Sequence, residues 1–582
     1  MHLENHLRDF PNRIALRWPA SRPSTTNPYS NLPHLEITYR DFSHKIASFA
    51  QGLLDLGLKE NDRVIIFLPM SLEMYIAMFA VQRIGAIAVF LDSWARIHHL
   101  GASAECVTPR AMISFKQAFD LVAQVPEFKS MSFRILLGPS EEHEKGSRKQ
   151  SFDNGFHYFQ DLFKSKEASI AAVEPDATAL ITFTTGSTGK PKGANRTHRF
   201  LFAQHNALSK IIPYRSTDID MPAFPIFSLN NLASGVTTVL PAIDLSAPSE
   251  RDGEILASQI IHENINCTTL SPSMLVGLCR FAEKSHIKLP GLTRVVTGGA
   301  PISKDDVKNF YQIAPKADLW ILYGSTEAEP MAHIEGREML SCETSNDPEI
   351  IEEGVNVGRI SEDLDFKFVK IINGPIDLNI DLNKGTITSN EPSPWASCEV
   401  KLGKIGEFIC TGDHVCRDYY NNPAAFSGAK ILGEDGRVWH RTGDLGYLDK
   451  DQNLWIVGRT NNAFERRGEY FFPVRAEVLL KRLPFTGRCA FLGLTSGQGQ
   501  TTAAVIELKS EIAVQNKINL DFDFKSALTE IQRLFKKNNI PLDSVYFVGE
   551  VPMDPRHHSK VEYANLRNQL QTGQNIIFQE FF

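Results

Sequence analysis

Thr184-Thr185-Gly186-Ser187-Thr188-Gly189-Lys190-Pro191-Lys192-Gly193 follows directly on the apolar run Ala179-Leu180-Ile181-Thr182-Phe183. The run reads as a buried strand, and the loop after it suits a polyphosphate. Its glycines carry no Cβ, so backbone N–H groups can close on an anion. Thr184, Thr185, Ser187 and Thr188 add hydroxyl donors; Lys190 and Lys192 add two mobile cations. This is not a Walker A loop, which needs Gly, four residues, then Gly-Lys-Ser/Thr; here Pro191 follows Lys190. An ordinary surface loop has no reason to gather these residue types behind a buried strand.

Around the loop, 582 residues exceed what one hydrophobic core organises, so two or more domains are expected. Hydrophobic residues make up 42% and charged residues 22%, the balance of an ordinary globular chain. A net charge of −7 gives no overall basic surface, so no nucleic-acid partner is expected. None of the eight cysteines sits at Cys-x-x-Cys spacing, so they read as reduced packing residues, not a zinc or redox site. The apolar runs at 64–68 and 86–91 are too short to cross a bilayer, and residues 1–18 lack the apolar centre of an export signal. A cytoplasmic enzyme without a transmembrane segment is expected.

Phe42, Ile46, Phe49, Leu53 and Leu56 recur at helical spacing before Gly57, and a strand follows at 64–67. A helix over 71–84 and a strand over 86–90 come next. Strand and helix then alternate to about residue 330, which predicts an α/β fold with parallel sheets and crossover helices. The polar stretch 141–166 reads as a surface excursion. From about 355 to 457 short strands (366–372, 407–411, 454–457) alternate with Gly, Asn and Asp turns, which predicts a small, mostly antiparallel barrel. A boundary falls at Gly458-Arg459-Thr460-Asn461-Asn462. It divides a large domain, 1–459, from a small α+β domain, 460–582, with one or two helices.

Further segments follow the phosphate loop in order: Thr297-Gly298-Gly299-Ala300-Pro301; Tyr323-Gly324-Ser325-Thr326-Glu327; Arg441-Thr442-Gly443-Asp444; Gly458-Arg459; and Pro552-Met553-Asp554-Pro555-Arg556-His557-His558-Ser559-Lys560-Val561. Over nearly its whole length the chain resembles the adenylate-forming superfamily of acyl-CoA synthetases, luciferases and peptide-synthetase adenylation domains. The resemblance implies two parallel-type αβ subdomains plus a small β-barrel in the large domain, then a mobile C-terminal domain with its hinge near Asn461. It implies that Thr184 to Lys190 and Lys192 hold phosphates and that Gly298, Gly299 and Ala300 lie against adenine. Tyr323, with Gly324 and Ser325 behind it, would flank the ring. Thr326 would approach the α-phosphate and Glu327 would hold Mg²⁺, a cation usually bound by one or two carboxylates plus phosphate oxygens. Asp444 would bind the ribose hydroxyls, Arg459 the ribose or phosphate, and Lys560 would swing in as the catalytic cation.

The implied reaction is attack of a carboxylate on the α-phosphate of ATP, giving acyl-AMP and pyrophosphate, with CoA as default acceptor. An aliphatic acid would lie along residues 224–231 and 271–275, against Phe224, Phe227, Ser228 and Met274. Three features depart from the usual acyl-CoA synthetase pattern: Ser228 replaces a His, Phe464-Glu465-Arg466-Arg467-Gly468 lacks the usual Lys, and the tail reads Arg556-His557-His558-Ser559-Lys560 instead of Gly-Lys. These are similar to the olefin-biosynthesis β-lactone synthetases, in which a β-hydroxyl displaces AMP and no thiol is used. A non-catalytic nucleotide-binding homologue is the remaining alternative; Lys560, Glu327 and Asp444 argue against it.

Overall fold

A computed structural model of the chain describes residues 2–24, 26–91, 97–138, 155–185, 191–245, 251–342, 349, 353–378, 394–496, 499–509, 512–514, 517–518, 522–553 and 561–582. Two large sheets carry the N-terminal part. In the first, strands Phe133–Leu136, Ala111–Ser114, Arg63–Phe67, Ile87–Phe90 and Thr178–Thr185 lie side by side and parallel, and Pro191–Thr197 returns antiparallel along the last. Within Arg63–Phe67, Val64 and Ile66 enter one hydrophobic cluster while Ile65 enters another. Both faces of the sheet are therefore covered, as expected of strands joined by crossover helices.

One covering helix is Tyr39–Asp55, whose N-cap Thr38 accepts from the Asp41 N–H and whose buried face carries Phe42, Ile46, Phe49 and Leu53. A second, Leu72–Arg83, is capped by Ser71. Of the polar stretch 141–166, residues 141–154 lie outside the described residues.

The second sheet runs through parallel strands Thr237–Val239, Ile219–Pro222, Cys267–Leu270, Arg294–Gly298 and Asp318–Ser325. Ala328–Glu335 then turns back, and the sheet continues antiparallel through Val355–Ile360, Asn453–Arg459, Val438–Leu448, Gly406–Thr411 and Asp365–Val369. The short strands expected after residue 355 thus extend the parallel sheet edge to edge. They share a core of Leu364, Phe368, Phe408 and Leu454 with Met331 and Ala332.

Beyond residue 485 a separate sheet forms from Thr486–Ser496, Gly499–Leu508, Ser544–Val548 and Ile576–Phe581. Three helices accompany this sheet among the described residues, Pro473–Lys481, Phe524–Lys537 and Tyr563–Gln571, where one or two were expected. The last buries only Leu566 and Leu570, too thin a stripe to stand out in sequence. This C-terminal part meets the N-terminal part through polar contacts: Arg475 Nη1 reaches Glu353 Oε2 at 2.8 Å, and Arg533 grips Glu349 at 2.7 and 2.9 Å. Among the described residues no helix is long and apolar enough to cross a membrane, and all eight cysteines are free.

Candidate active site

The site is assembled where strands of the second sheet end. Gly298 closes Arg294–Gly298 and lies in register with Leu322 of the neighbouring strand. A Cβ on Gly298 would stand 2.5 Å from the Leu322 carbonyl oxygen, so glycine alone lets the two strands finish side by side. Gly299, at φ +83°, then turns the chain away ahead of Ala300. Leu322 leads into Tyr323, whose hydroxyl donates to Asp444 Oδ2 at 2.7 Å. Arg459 Nε donates to Asp444 Oδ1 at 2.8 Å, and the two residues are partners on adjacent antiparallel strands. Burial and the Asp444 charge push the Tyr323 hydroxyl well above its usual range, so it stays a donor. Just before Asp444, buried Arg441 forks onto buried Glu407, which also accepts from the Gly443 N–H at 3.2 Å. That pair fixes the strand from which Asp444 projects.

Gly324 and Ser325 complete the strand, and Thr326 and Glu327 form the two-residue turn before Ala328. Arg196, on the return strand of the phosphate loop, donates from Nη2 to the Thr326 carbonyl at 2.8 Å. Residues 415–420 are laced between the same two elements. Cys416 N–H donates to the Glu327 carbonyl at 2.7 Å, and Tyr420 N–H to the Gly193 carbonyl at 2.9 Å. Tyr419 donates its hydroxyl to Glu327 Oε1 at 2.8 Å. Lys192 Nζ stands 5.6 Å from the Tyr419 ring centre, and Lys430 Nζ 5.3 Å from it.

Burial would raise the Glu327 carboxyl, but the His440 ring, the Lys430 ammonium and the Tyr419 hydroxyl outweigh it and hold the group at about 2. His440 is itself driven down to about 3, by burial first and by Lys430 next, so at neutral pH the ring is uncharged. Lys430 is then the standing countercharge on this side of Glu327. Burial also lowers the Lys192 ammonium, against the pull of Glu327.

An ionised carboxylate with one oxygen tied to a hydroxyl fits Mg²⁺, which takes one or two carboxylates and fills its shell with phosphate oxygens and water. Among the described residues no group of three or more His, Cys, Asp or Glu side chains is placed to hold a metal by protein ligands alone. Glu327 would bind Mg²⁺ together with nucleotide.

At the phosphate loop the hairpin base is seen: Thr184 pairs with Lys192 and Thr185 with Pro191. Gly186, Ser187, Thr188, Gly189 and Lys190 lie outside the described residues, as does Lys560. Phe224 and Phe227 stand 6.2 Å apart at the start of helix Pro225–Ser234 and pack with Val296 and Leu322, close in sequence to Gly298 and Tyr323. Ser228 is fully buried. Met274 packs with a different cluster, on helix Pro272–Lys284, and is not brought against the two phenylalanines. Tyr419, Lys430 and Arg196 are site residues that sequence reading passed over. The only signal was a lysine opening the short apolar strand Lys430–Leu432.

A family model described as AMP-binding enzyme matches residues 3–365, a span that takes in the phosphate loop, Gly298–Gly299 and the Tyr323–Glu327 turn. The chain belongs to the AMP-binding enzyme family. The olefin β-lactone synthetase of Stenotrophomonas maltophilia is 26% identical over 509 residues, covering 86% of each chain. The 4-coumarate:CoA ligase 1 of Petunia hybrida is 23% identical over 580 residues, covering 98% of this chain and 95% of the ligase. The O-succinylbenzoate coenzyme A synthetase of Bacillus subtilis, solved with ATP and a magnesium ion, superposes with a TM-score of 0.69 at 18% identity, over 98% of this chain and 99% of the other. This family member is an adenylate-forming ligase, with a large N-terminal and a small C-terminal domain.

Proposed function

We propose that the protein activates an aliphatic carboxylic acid and transfers the acyl group to the acid's own β-hydroxyl. In the first step a carboxylate oxygen attacks the α-phosphorus of ATP, the bond to pyrophosphate breaks, and acyl-AMP forms. Tyr323, Asp444 and Arg459 hold the nucleoside, Thr326 faces the α-phosphate, and Lys192 with residues 186–190 holds the departing phosphates. Mg²⁺ at Glu327 would supply charge neutralisation for those phosphates. Lys560 bridges the reacting oxygens as charge develops on both. In the second step the hydroxyl oxygen bonds to the acyl carbon, AMP leaves, the proton passes to water, and a β-lactone results. The large lobe ends near Arg459, and the small lobe turns about Asn461 between the steps. We place the enzyme in the cytoplasm, within fatty acid metabolism.

The observation that carries the acceptor is a buried polar trio. Tyr75 Oη, Ser228 Oγ and the Asn231 carboxamide are all buried, and their pairings, Tyr75 with Ser228 and Asn231 with Asp220, fall short of full hydrogen-bond geometry. Ser228 and Asn231 share a face of the helix that begins at Phe224, and Tyr75 faces Ser228. Buried polar groups are nearly always paired. A hydroxylated acyl chain would offer these loosely paired groups a further partner, which an unsubstituted chain has no oxygen to supply. Two relatives named olefin β-lactone synthetase support the same reading.

Transfer to CoA is the second reading, favoured by the CoA ligases among the relatives. Against it, Arg466 on the hairpin after the domain boundary is committed to Asp543 at 2.6 and 2.9 Å and is not offered to a CoA phosphate.

The test is incubation of the purified protein with ATP, Mg²⁺ and a panel of fatty and β-hydroxy fatty acids, with and without CoA, products being identified by mass spectrometry. Pyrophosphate from an aliphatic acid and lactone without CoA are expected. No pyrophosphate from any acid removes the adenylation reading; acyl-CoA without lactone removes the hydroxyl acceptor. Lys560→Ala should slow adenylation on the order of 100–1000-fold while ATP binding persists; a wild-type rate removes Lys560 from the mechanism.

A further inference from the structure

Lys430 is 2% exposed, an unusual place for an ammonium. It opens strand Lys430–Leu432 and pairs across the ladder with His440. Its Nζ is anchored by a hydrogen bond to the Cys416 carbonyl, in the segment whose backbone clasps Glu327. The Tyr419 ring lies 5.3 Å from Nζ, and the Tyr419 hydroxyl reaches Glu327 Oε1. So anchored, the ammonium cannot travel into the cleft as a mobile lysine would. It sets a permanent positive charge close to the carboxylate.

We propose that Lys430 is a positioning residue that makes divalent-cation capture by Glu327 conditional on nucleotide. The proposal rests on Glu327 being the carboxylate that holds Mg²⁺. A free divalent cation approaching Glu327 meets the Lys430 charge and is repelled. A cation carried on ATP arrives as a net anion and is attracted by the same charge, reinforced by Lys192 on the same ring. Tyr419 completes the unit by occupying Oε1, which leaves the carboxylate one oxygen to offer. The enzyme thereby avoids filling its metal position before ATP is present.

The test uses Mn²⁺ as probe, followed by loss of the free-ion electron paramagnetic resonance signal, with the full-length protein alone and with ATP in the absence of acid. Glu327→Gln gives the background from surface carboxylates. Lys430→Gln keeps a donor for the Cys416 carbonyl and removes the charge. It should bind free Mn²⁺ about tenfold more tightly and Mn²⁺·ATP about threefold or more weakly, a crossing of signs that general misfolding does not produce. Lys430→Arg should restore both affinities towards wild type. Should Lys430→Gln fail to fold, Tyr419→Phe unties Oε1 and should tighten free Mn²⁺ by itself. Unchanged affinities in Lys430→Gln, or a shift of both in one direction, overturn the proposal. Mn²⁺·ATP binding that is indifferent to Glu327→Gln overturns the metal assignment, and the proposal with it.

Discussion

At the scale of single residues, burial decides which charges matter. Asp220 lies beside Tyr214 and Arg294 on strand Ile219–Pro222 and is 1% exposed. Burial drives its carboxyl up to about 6 from 3.8, against the Tyr214 hydroxyl and Arg294. The folded state thus holds a proton that the unfolded chain has released, so this contribution is complete below 3.8 and lost as pH rises through about 6. The melting temperature of Asp220→Asn, relative to wild type, should therefore climb from about pH 4 to about pH 7; a flat difference would assign the proton elsewhere. The motifs proposed to hold nucleotide stand out in sequence as dense local runs, and the structure brings Tyr323, Asp444 and Arg459 of those runs into contact. Lys430 was not legible, because nothing in Ala429-Lys430-Ile431 announces which charge its side chain will meet.

Among elements, strand ends and helix starts set the site. Helix Lys304–Ile313 begins just past Gly299-Ala300-Pro301 and opens with a capping box, Ser303 Oγ accepting from the Asp306 N–H while Asp306 accepts from the Ser303 N–H. Ser303→Ala leaves that end uncapped and should cost about 1 kcal/mol, read as a lowered urea midpoint for the N-terminal part. No change would mean that packing of Val307 and Phe310 holds the helix without its cap. The alternation of strands and helices through residue 330 followed from apolar periodicity. The antiparallel continuation after residue 355 kept its strand character, but its edge-to-edge joining was hidden, because pairing partners such as Asn356 and Trp455 lie far apart in sequence.

For the whole molecule, the contact between the N- and C-terminal parts includes ion pairs that are exposed or half-buried. Arg533, 45% exposed, meets Glu349, and Arg475 meets Glu353. Such pairs are weak and screened by salt, which is compatible with the lobe rotation proposed above. Arg475→Glu sets like charge against Glu353 and should enlarge the radius of gyration measured by small-angle scattering. High salt should do the same to wild type. Scattering that is unmoved by either would show that these pairs do not hold the lobe.

Local chemistry along the chain pointed to a polyphosphate ligand: glycines, hydroxyls and lysines behind a buried strand are readable without partners, because contiguous backbone N–H groups can meet an anion. It also determined the alternation of strand and helix through residue 330, since each helix's apolar stripe is written within one element. Tertiary structure alone decided that residues 415–420 and 430 would surround Glu327. The electrostatic setting of a carboxylate depends on every charge within reach through space, and residues about a hundred positions away carry no local mark of that proximity.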